Sequence, residues 1–181
     1  QEEAAVKVAK YAELARFELG VLYDYKPQER YNLIYLSSTE EFLHTNFEKQ
    51  NPERDMSFQL PTRAVNVIDQ GESKLLYQSV KQSVSELILE EFAFGERAGA
   101  TIQSQLLLHI PTWFHEGLSA YAASGWTYED ELWMNTLSRS DNILEMALEG
   151  EEKINEIVRK SIWYFITHEY GDQKISEIIY L

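Results

Sequence analysis

The chain has 181 residues, of which 44% are hydrophobic and 13% aromatic, enough apolar material for one core of ordinary domain size. Its 30 acidic and 16 basic residues give a formal net charge of −14, which argues against nucleic acid or anionic lipid as partners. The lack of cysteine excludes disulfides, thiol catalysis and cysteine metal sites. No apolar run approaches the ~20 residues of a membrane-spanning helix, so no direct membrane insertion is predicted.

The two ends of the sequence suggest a piece of a longer polypeptide. It begins at Gln1 without an initiator Met, which a removed signal peptide or a trimmed chain would equally explain. It ends at Leu181 in an apolar, helical pattern, where domains seldom stop. We therefore expect one domain over residues 1–181, in a chain that continues beyond Leu181.

The first third of the chain predicts a helix and a small sheet. Apolar residues recur at helical spacing near the start, and short aromatic or β-branched runs flanked by turn residues follow. The predicted elements are a helix over 2–20, strands over 31–36, 58–60 and 64–68, and a short helix over 38–47 before a loop at 51–55.

From about Ser73 the sequence predicts helix almost throughout. Pro111 occupies the first-turn position that proline tolerates, and glycines at 125, 150 and 171 are natural helix ends. Early strands followed by many helices favour an α+β fold over an alternating α/β fold. The predicted helices cover 73–94, 101–109, 111–124, 128–138, 141–149, 151–170 and 172–180.

One segment in this helical part carries a recognisable pattern. Residues 110–121 read Ile-Pro-Thr-Trp-Phe-His-Glu-Gly-Leu-Ser-Ala-Tyr. With Pro, Trp, Glu, Gly and Tyr in register, the segment resembles the glutamate helix of gluzincin, or peptidase MA-like, metallopeptidases. In that family the Glu of the Glu-Gly pair is the third zinc ligand, and the resemblance assigns this position to Glu116. It implies a zincin-like fold, with a small N-terminal mixed β-sheet and helices, followed by a predominantly helical C-terminal part.

The helix predicted upstream, at 73–94, lacks the rest of such a zinc site. The family carries His-Glu-x-x-His there, because histidines at i and i+4 share one helical face and the Glu activates the zinc-bound water. The Glu aligns with Glu86, but the two histidines align with Ser85 and Leu89. A catalytic zinc needs three protein ligands, and Glu116 alone would hold it poorly. We therefore predict degenerate positions at all four residues, with no catalytic residue, no metal and no cofactor.

Replacement ligands are hard to assemble from the sequence. His115 and Glu116 are adjacent and point about 100° apart on a helix, and a proline separates His109 from both. Glu86 and Glu90 share a face at i,i+4 and would suit a hard cation, although such pairs are common on solvated surfaces. The two remaining histidines are His44 and His168, and the position of His168 near the end of a helix explains it as dipole compensation.

Ordinary helix packing explains part of the same pattern. Phe114, Leu118 and Tyr121 lie at i, i+4 and i+7, the spacing of an amphipathic helix. The acidic run at 129–131 is interpreted as a helix start that faces water. On the upstream helix, Ser85 and Leu89 lie outside the core stripe. The resemblance implies that their side of the helix faces the former active-site cleft. That side would then be either a contact surface or the filling of the cleft. The predicted core stripe is Leu76, Val80, Val84, Leu87 and Ile88.

Glu91 falls within that core stripe, where a lone carboxylate is unfavourable. Either the helix frays before it, or Glu91 finds a partner such as Arg97.

A second resemblance concerns the cellular setting. Residues 31–35, 159–163 and 168–171 are similar to N-terminal domains of Bacteroidetes envelope proteins in which a peptidase-like domain precedes a β-propeller. This implies export, a periplasmic or outer-envelope location, and a fused β-propeller or another protein as partner. We expect a catalytically inactive interaction or scaffolding module. Two alternatives stay open: an active metallohydrolase with a non-standard metal site, and a purely structural domain that orients a fused β-propeller.

Overall fold

A computed structural model describes residues 2–26, 30–37, 58–59, 64–68, 72–94, 112–139 and 152–180. These residues form six helices and three strands. In chain order the elements are α1 (Glu2–Leu22), β1 (Asn32–Leu36), β2 (Phe58–Gln59), β3 (Ala64–Ile68), α2 (Ser73–Phe94), α3 (Thr112–Ser124), α4 (Tyr128–Leu137), α5 (Glu152–Tyr170) and α6 (Gln173–Ile179).

Helix dominates the described part of the chain, and each described element lies where the sequence predicts one, within two residues at either end. The glycine ends are confirmed at Gly125 and Gly171, where φ is +63° and +83°, values that favour glycine. The predictions at 38–47, 51–55, 101–109 and 141–149 lie outside the described residues. Within the described ranges, no helix is long and apolar enough to cross a membrane.

The backbone groups into two compact units. Unit 1 comprises residues 1–21 and 25–91, and unit 2 comprises residues 22–24 and 92–181. The expectation of a single domain over the whole chain stays a prediction.

Unit 1 contains the sheet. β3 lies in the centre, paired in parallel with β1 from Asn32 opposite Ala64 to Leu36 opposite Ile68. β2 pairs antiparallel with the other edge of β3, with Phe58 opposite Val65. The sheet therefore mixes both pairings.

In unit 1, α1 and α2 lie side by side. Tyr77 donates a hydrogen bond to Glu18 at 2.9 Å, and the rings of Tyr11 and Tyr77 meet edge to face at 5.2 Å. Lys7 donates to Ser73 at 2.7 Å near the start of both helices. The predicted core stripe of α2 is confirmed, because all five of its residues are buried.

Unit 2 is built on the packing of α3 against α5. The indole of Trp163 is fully buried, donates to the carbonyl oxygen of Phe114 at 3.0 Å, and meets the Phe114 ring edge to face. Tyr121 and Thr167 share a hydrogen bond of 2.7 Å between the same two helices. α4 and α6 also contact α5, so α5 is the central helix of this unit.

Candidate functional site

Glu116, which the resemblance assigns to a third-ligand position, forms an ion pair with Arg159. The carboxylate comes from α3 and the guanidinium from α5. Each side chain is 29% exposed, so the pair lies partly out of water. A guanidinium is a permanent cation with a rigid set of donors that matches a carboxylate. The negative charge of Glu116 is therefore compensated by the protein itself.

Gly117 makes this approach of α3 to α5 possible. A Cβ added at Gly117 would lie 2.7 Å from the carbonyl oxygen of Arg159 and 3.0 Å from its Cβ. Real Cβ atoms do not come this close to backbone, so any other residue would push the two helices apart. The Glu-Gly pair thus has a packing role. Gly117 allows the backbone of Arg159 to come close, and Glu116 forms an ion pair with the Arg159 side chain.

His115, next to this ion pair, is half-buried. Burial lowers the pKa of His115 below its ordinary value, and the positive charge of Arg159 lowers it further. The imidazole is therefore neutral at pH 7. His168 is exposed and contacts Glu169 at 3.1 Å, while His44 and His109 lie outside the described residues.

The three upstream positions lie on α2 in unit 1. Ser85 is fully buried, Leu89 is 9% exposed, and Glu86 is half-buried and accepts a hydrogen bond from Gln82 at 3.4 Å. Ser85 and Leu89 are therefore buried although they lie outside the predicted core stripe, and the expectation that they face a former cleft stays a prediction. The side chain of Glu90 lies outside the described residues, so its pairing with Glu86 stays a prediction.

The four aligned positions belong to different units: Ser85, Glu86 and Leu89 to unit 1, and Glu116 to unit 2. In the described part of each, no group of three or more His, Asp or Glu side chains lies close enough together to hold a metal ion. The side chain that lies beside Glu116 is the cation Arg159.

Glu91 has partners that the sequence did not identify. α2 continues through Phe94, so the helix does not fray before Glu91, which is buried. Its carboxylate accepts hydrogen bonds from the hydroxyl of Tyr25 at 3.1 Å and from the hydroxyl of Tyr31. Arg97, the suggested partner, lies outside the described residues. No local spacing signals these partners, because Tyr25 and Tyr31 lie 66 and 60 residues from Glu91 along the chain.

The hydroxyl of Tyr31 is strongly held in its protonated form. Burial raises its pKa most, and the hydrogen bond to the Glu91 carboxylate raises it further, while the charge of Arg16 opposes the shift without cancelling it. Tyr31 therefore donates to Glu91 across the ordinary pH range.

Unit 2 contains a second buried carboxylate, at Asp130 on α4. Lys160 of α5, itself buried, donates to Asp130 at 2.6 Å. Asp130 also completes a capping box with Thr127, a Thr-x-x-Asp spacing visible in the sequence. Burial opposes ionisation of Asp130, but the hydrogen bonds from Lys160 and Thr127 outweigh it and lower its pKa. The prediction that the whole run 129–131 faces water is thus wrong at Asp130, because Lys160 compensates the buried charge.

Comparisons with known proteins find no relative of this chain. No protein-family profile and no curated protein matches its sequence, and no solved structure matches its fold. The structure thus defines a helix-dominated protein with a small mixed sheet. Its zincin-like identity rests on the pattern of residues 110–121 and stays a prediction.

Proposed function

We propose that this chain is a degenerate gluzincin-like domain, catalytically silent, that serves as a protein-interaction or scaffolding module of a cell-envelope protein. The observation that carries the proposal is the ion pair between Glu116 and Arg159. Glu116 is the one residue of the proposed ancestral ligand set that still has a donor suited to zinc, and it is held by a guanidinium.

The chemistry of this pair opposes metal binding at Glu116. A zinc ion there would have to displace Arg159 and leave a guanidinium without its carboxylate in a partly buried setting. Breaking such a pair costs more than its net contribution to stability suggests, because the remaining charge loses its partner. At the two aligned histidine positions, Ser85 offers only a weakly binding hydroxyl and Leu89 offers no donor atom. The zinc–ligand bonds that two histidines would make are therefore not replaced.

The packing of α3 supports a role other than catalysis. Gly117 lies against the backbone of Arg159, and Phe114 packs on the buried Trp163, so helix contact gives the Phe and the Gly of the Trp-Phe-x-Glu-Gly pattern a use that needs no metal. A scaffold that keeps its shape keeps these residues whether or not it hydrolyses anything.

Zinc analysis tests the proposal directly. Protein purified from cells grown with added zinc should contain far less than one zinc ion per chain, and it should not hydrolyse a fluorescent casein substrate. The matched variants are Glu116→Gln and Glu177→Gln, the second being an exposed glutamate on α6. Stoichiometric zinc together with casein hydrolysis, both abolished by Glu116→Gln and retained by Glu177→Gln, would establish the metallohydrolase instead.

The interaction role needs a separate measurement. Cross-linking of the full polypeptide in its own cells, followed by envelope fractionation and mass spectrometry, should recover the same envelope protein in repeated experiments. Cross-links confined to the polypeptide itself would favour a purely structural domain that orients a neighbouring β-propeller.

A further inference from the structure

The outward face of α4 combines exposed apolar and acidic side chains. Tyr128 is 77% exposed and Leu132 50%, and the two lie one turn apart at i,i+4. On a helical wheel, Glu131 lies on one side of this pair and Glu129 on the other, each about 80° from its centre. Both glutamates are exposed. The face therefore has an apolar centre with a carboxylate on each side.

The charged residues within α4 itself are all acidic. α4 carries Glu129, Asp130 and Glu131 and no Lys or Arg. Asp130 points inward to Lys160, so the outward carboxylates are the two glutamates. Glu131 accepts hydrogen bonds from the indole of Trp126 at 2.8 Å and from Asn135 at 3.2 Å, which are neutral donors and leave its charge in place.

The helix that presents this face is firmly held within unit 2. Its start is fixed by the capping box of Thr127, and its inner side by the buried pair of Asp130 and Lys160. Trp126, just before the helix, stacks on Tyr164 of α5 with ring centroids 4.8 Å apart and planes 7° apart. A surface that is ordered before binding loses less conformational entropy when a partner docks.

We propose that the outward face of α4 is a docking surface for an amphipathic, basic segment of another protein. Apolar side chains of that segment would cover Tyr128 and Leu132, and flanking Lys or Arg side chains would meet Glu129 and Glu131. This inference rests on the proposed interaction function and specifies the chemistry of its partner.

Electrostatics decides between this occupant and others. A second copy of α4 would bring glutamates against glutamates, and like charges at an interface disfavour association. Anionic lipid is disfavoured by the same repulsion. α1 also exposes large apolar residues, among them Leu14, Phe17 and Val21 at helical spacing, but Lys10 and Glu13 beside them give that face charges of both signs.

A designed peptide provides the probe. It is a fluorescein-labelled amphipathic helix with Leu and Phe on one face and Lys on both flanks, and its control is a scrambled peptide of equal composition. By fluorescence anisotropy the protein should bind the ordered peptide with a micromolar Kd, as expected of a small interface, and should bind the scrambled peptide much more weakly.

Three variants locate the binding. Leu132→Ser should weaken it about tenfold, since a central apolar anchor is lost, whereas Phe17→Ser, a matched exposed site in unit 1, should change it less than about twofold. The double variant Glu129→Gln, Glu131→Gln should weaken binding at low salt and reduce its dependence on salt.

Two results would overturn this assignment: equal binding of ordered and scrambled peptides, or wild-type affinity in Leu132→Ser. If the protein contains no zinc and does not bind the ordered peptide, the docking proposal for α4 is wrong and the proposal of a silent peptidase domain stands. If the protein contains stoichiometric zinc and binds the ordered peptide as expected, the docking proposal stands and the proposal of a silent peptidase domain is wrong.

Discussion

Unit 1 and unit 2 each bury a carboxylate, and they stabilise it with different partners. Glu91 in unit 1 accepts hydrogen bonds from the hydroxyls of Tyr25 and Tyr31, which are neutral donors. Asp130 in unit 2 is paired with the buried ammonium of Lys160. The contacts of these two buried carboxylates therefore depend on different protonation states, and they respond to different substitutions and to opposite ends of the pH scale.

The direction of each pH effect follows from the pKa shifts. The pKa of Asp130 is lowered on folding, so its contribution to stability is present above the ordinary value near 4 and is lost as the pH falls through the lower folded value. The pKa of Tyr31 is raised on folding, so its contribution is present below about pH 10 and is lost as the pH rises further.

The largest expected effect is that of Lys160→Ala. Removing one partner leaves Asp130 buried without its cation, which should lower the free energy of unfolding by about 3–5 kcal/mol. Urea denaturation followed by tryptophan fluorescence measures it. All four tryptophans of the chain, at 113, 126, 133 and 163, belong to unit 2, so this signal reports on the unit that contains the substitution.

The matched control is Lys174→Ala, whose exposed pair with Glu177 should contribute no more than about 1 kcal/mol. The double variant Lys160→Met, Asp130→Asn should recover much of the loss, because no buried charge remains. Equal effects of Lys160→Ala and Lys174→Ala would mean that the buried pair does not distinguish unit 2.

Gly117→Ala comes next, and its sign is informative. Alanine in an exposed helix stabilises by about 1 kcal/mol relative to glycine, but the Cβ contact with Arg159 should instead destabilise unit 2 by about 1–3 kcal/mol. Thermal unfolding monitored by tryptophan fluorescence measures the change. Ala123→Gly in the same helix calibrates the propensity term at about 0.5–1 kcal/mol. A stabilising Gly117→Ala would show that α3 and α5 are not in close contact there.

The smallest expected effect is that of Tyr31→Phe in unit 1. Loss of a partly exposed hydroxyl donor to a carboxylate should cost about 1–2 kcal/mol at pH 7. Above pH 10 the difference from wild type should shrink, because Tyr31 ionises in the unfolded chain while the folded protein keeps it protonated. Urea denaturation across pH 7–11, followed by circular dichroism, measures it.

Two variants control this comparison. Tyr128→Phe, at an exposed tyrosine of unit 2, should lie within about 0.5 kcal/mol of wild type at all pH values. The free energy of unfolding of Asp130→Asn should instead fall less steeply below pH 4 than that of wild type, because the ionisable carboxyl is gone. If the free energy of unfolding of Tyr31→Phe falls above pH 10 as steeply as that of wild type, the contact between Tyr31 and Glu91 does not contribute to the pH dependence of unit 1.

Local patterns were sufficient for the elements and their inward faces. The apolar spacing in α2 identified its buried stripe from Leu76 to Ile88, and Thr127 with Asp130 has the spacing of a helix cap. These predictions succeed because helix periodicity and capping depend on residues within about one turn of each other. Apolar character alone does not decide burial at Phe165 of α5, which is 59% exposed, because burial also depends on which elements pack there.

The sequence by itself determined the composition and the helical periodicity, and it predicts that Ser85 and Leu89 stand at the two histidine positions of the resembled family. Only the tertiary structure decided that Glu116 pairs with Arg159, and Asp130 with Lys160. Those partners are 43 and 30 residues apart along the chain. No local spacing specifies which cation reaches a carboxylate over such separations, because helix packing brings the two together.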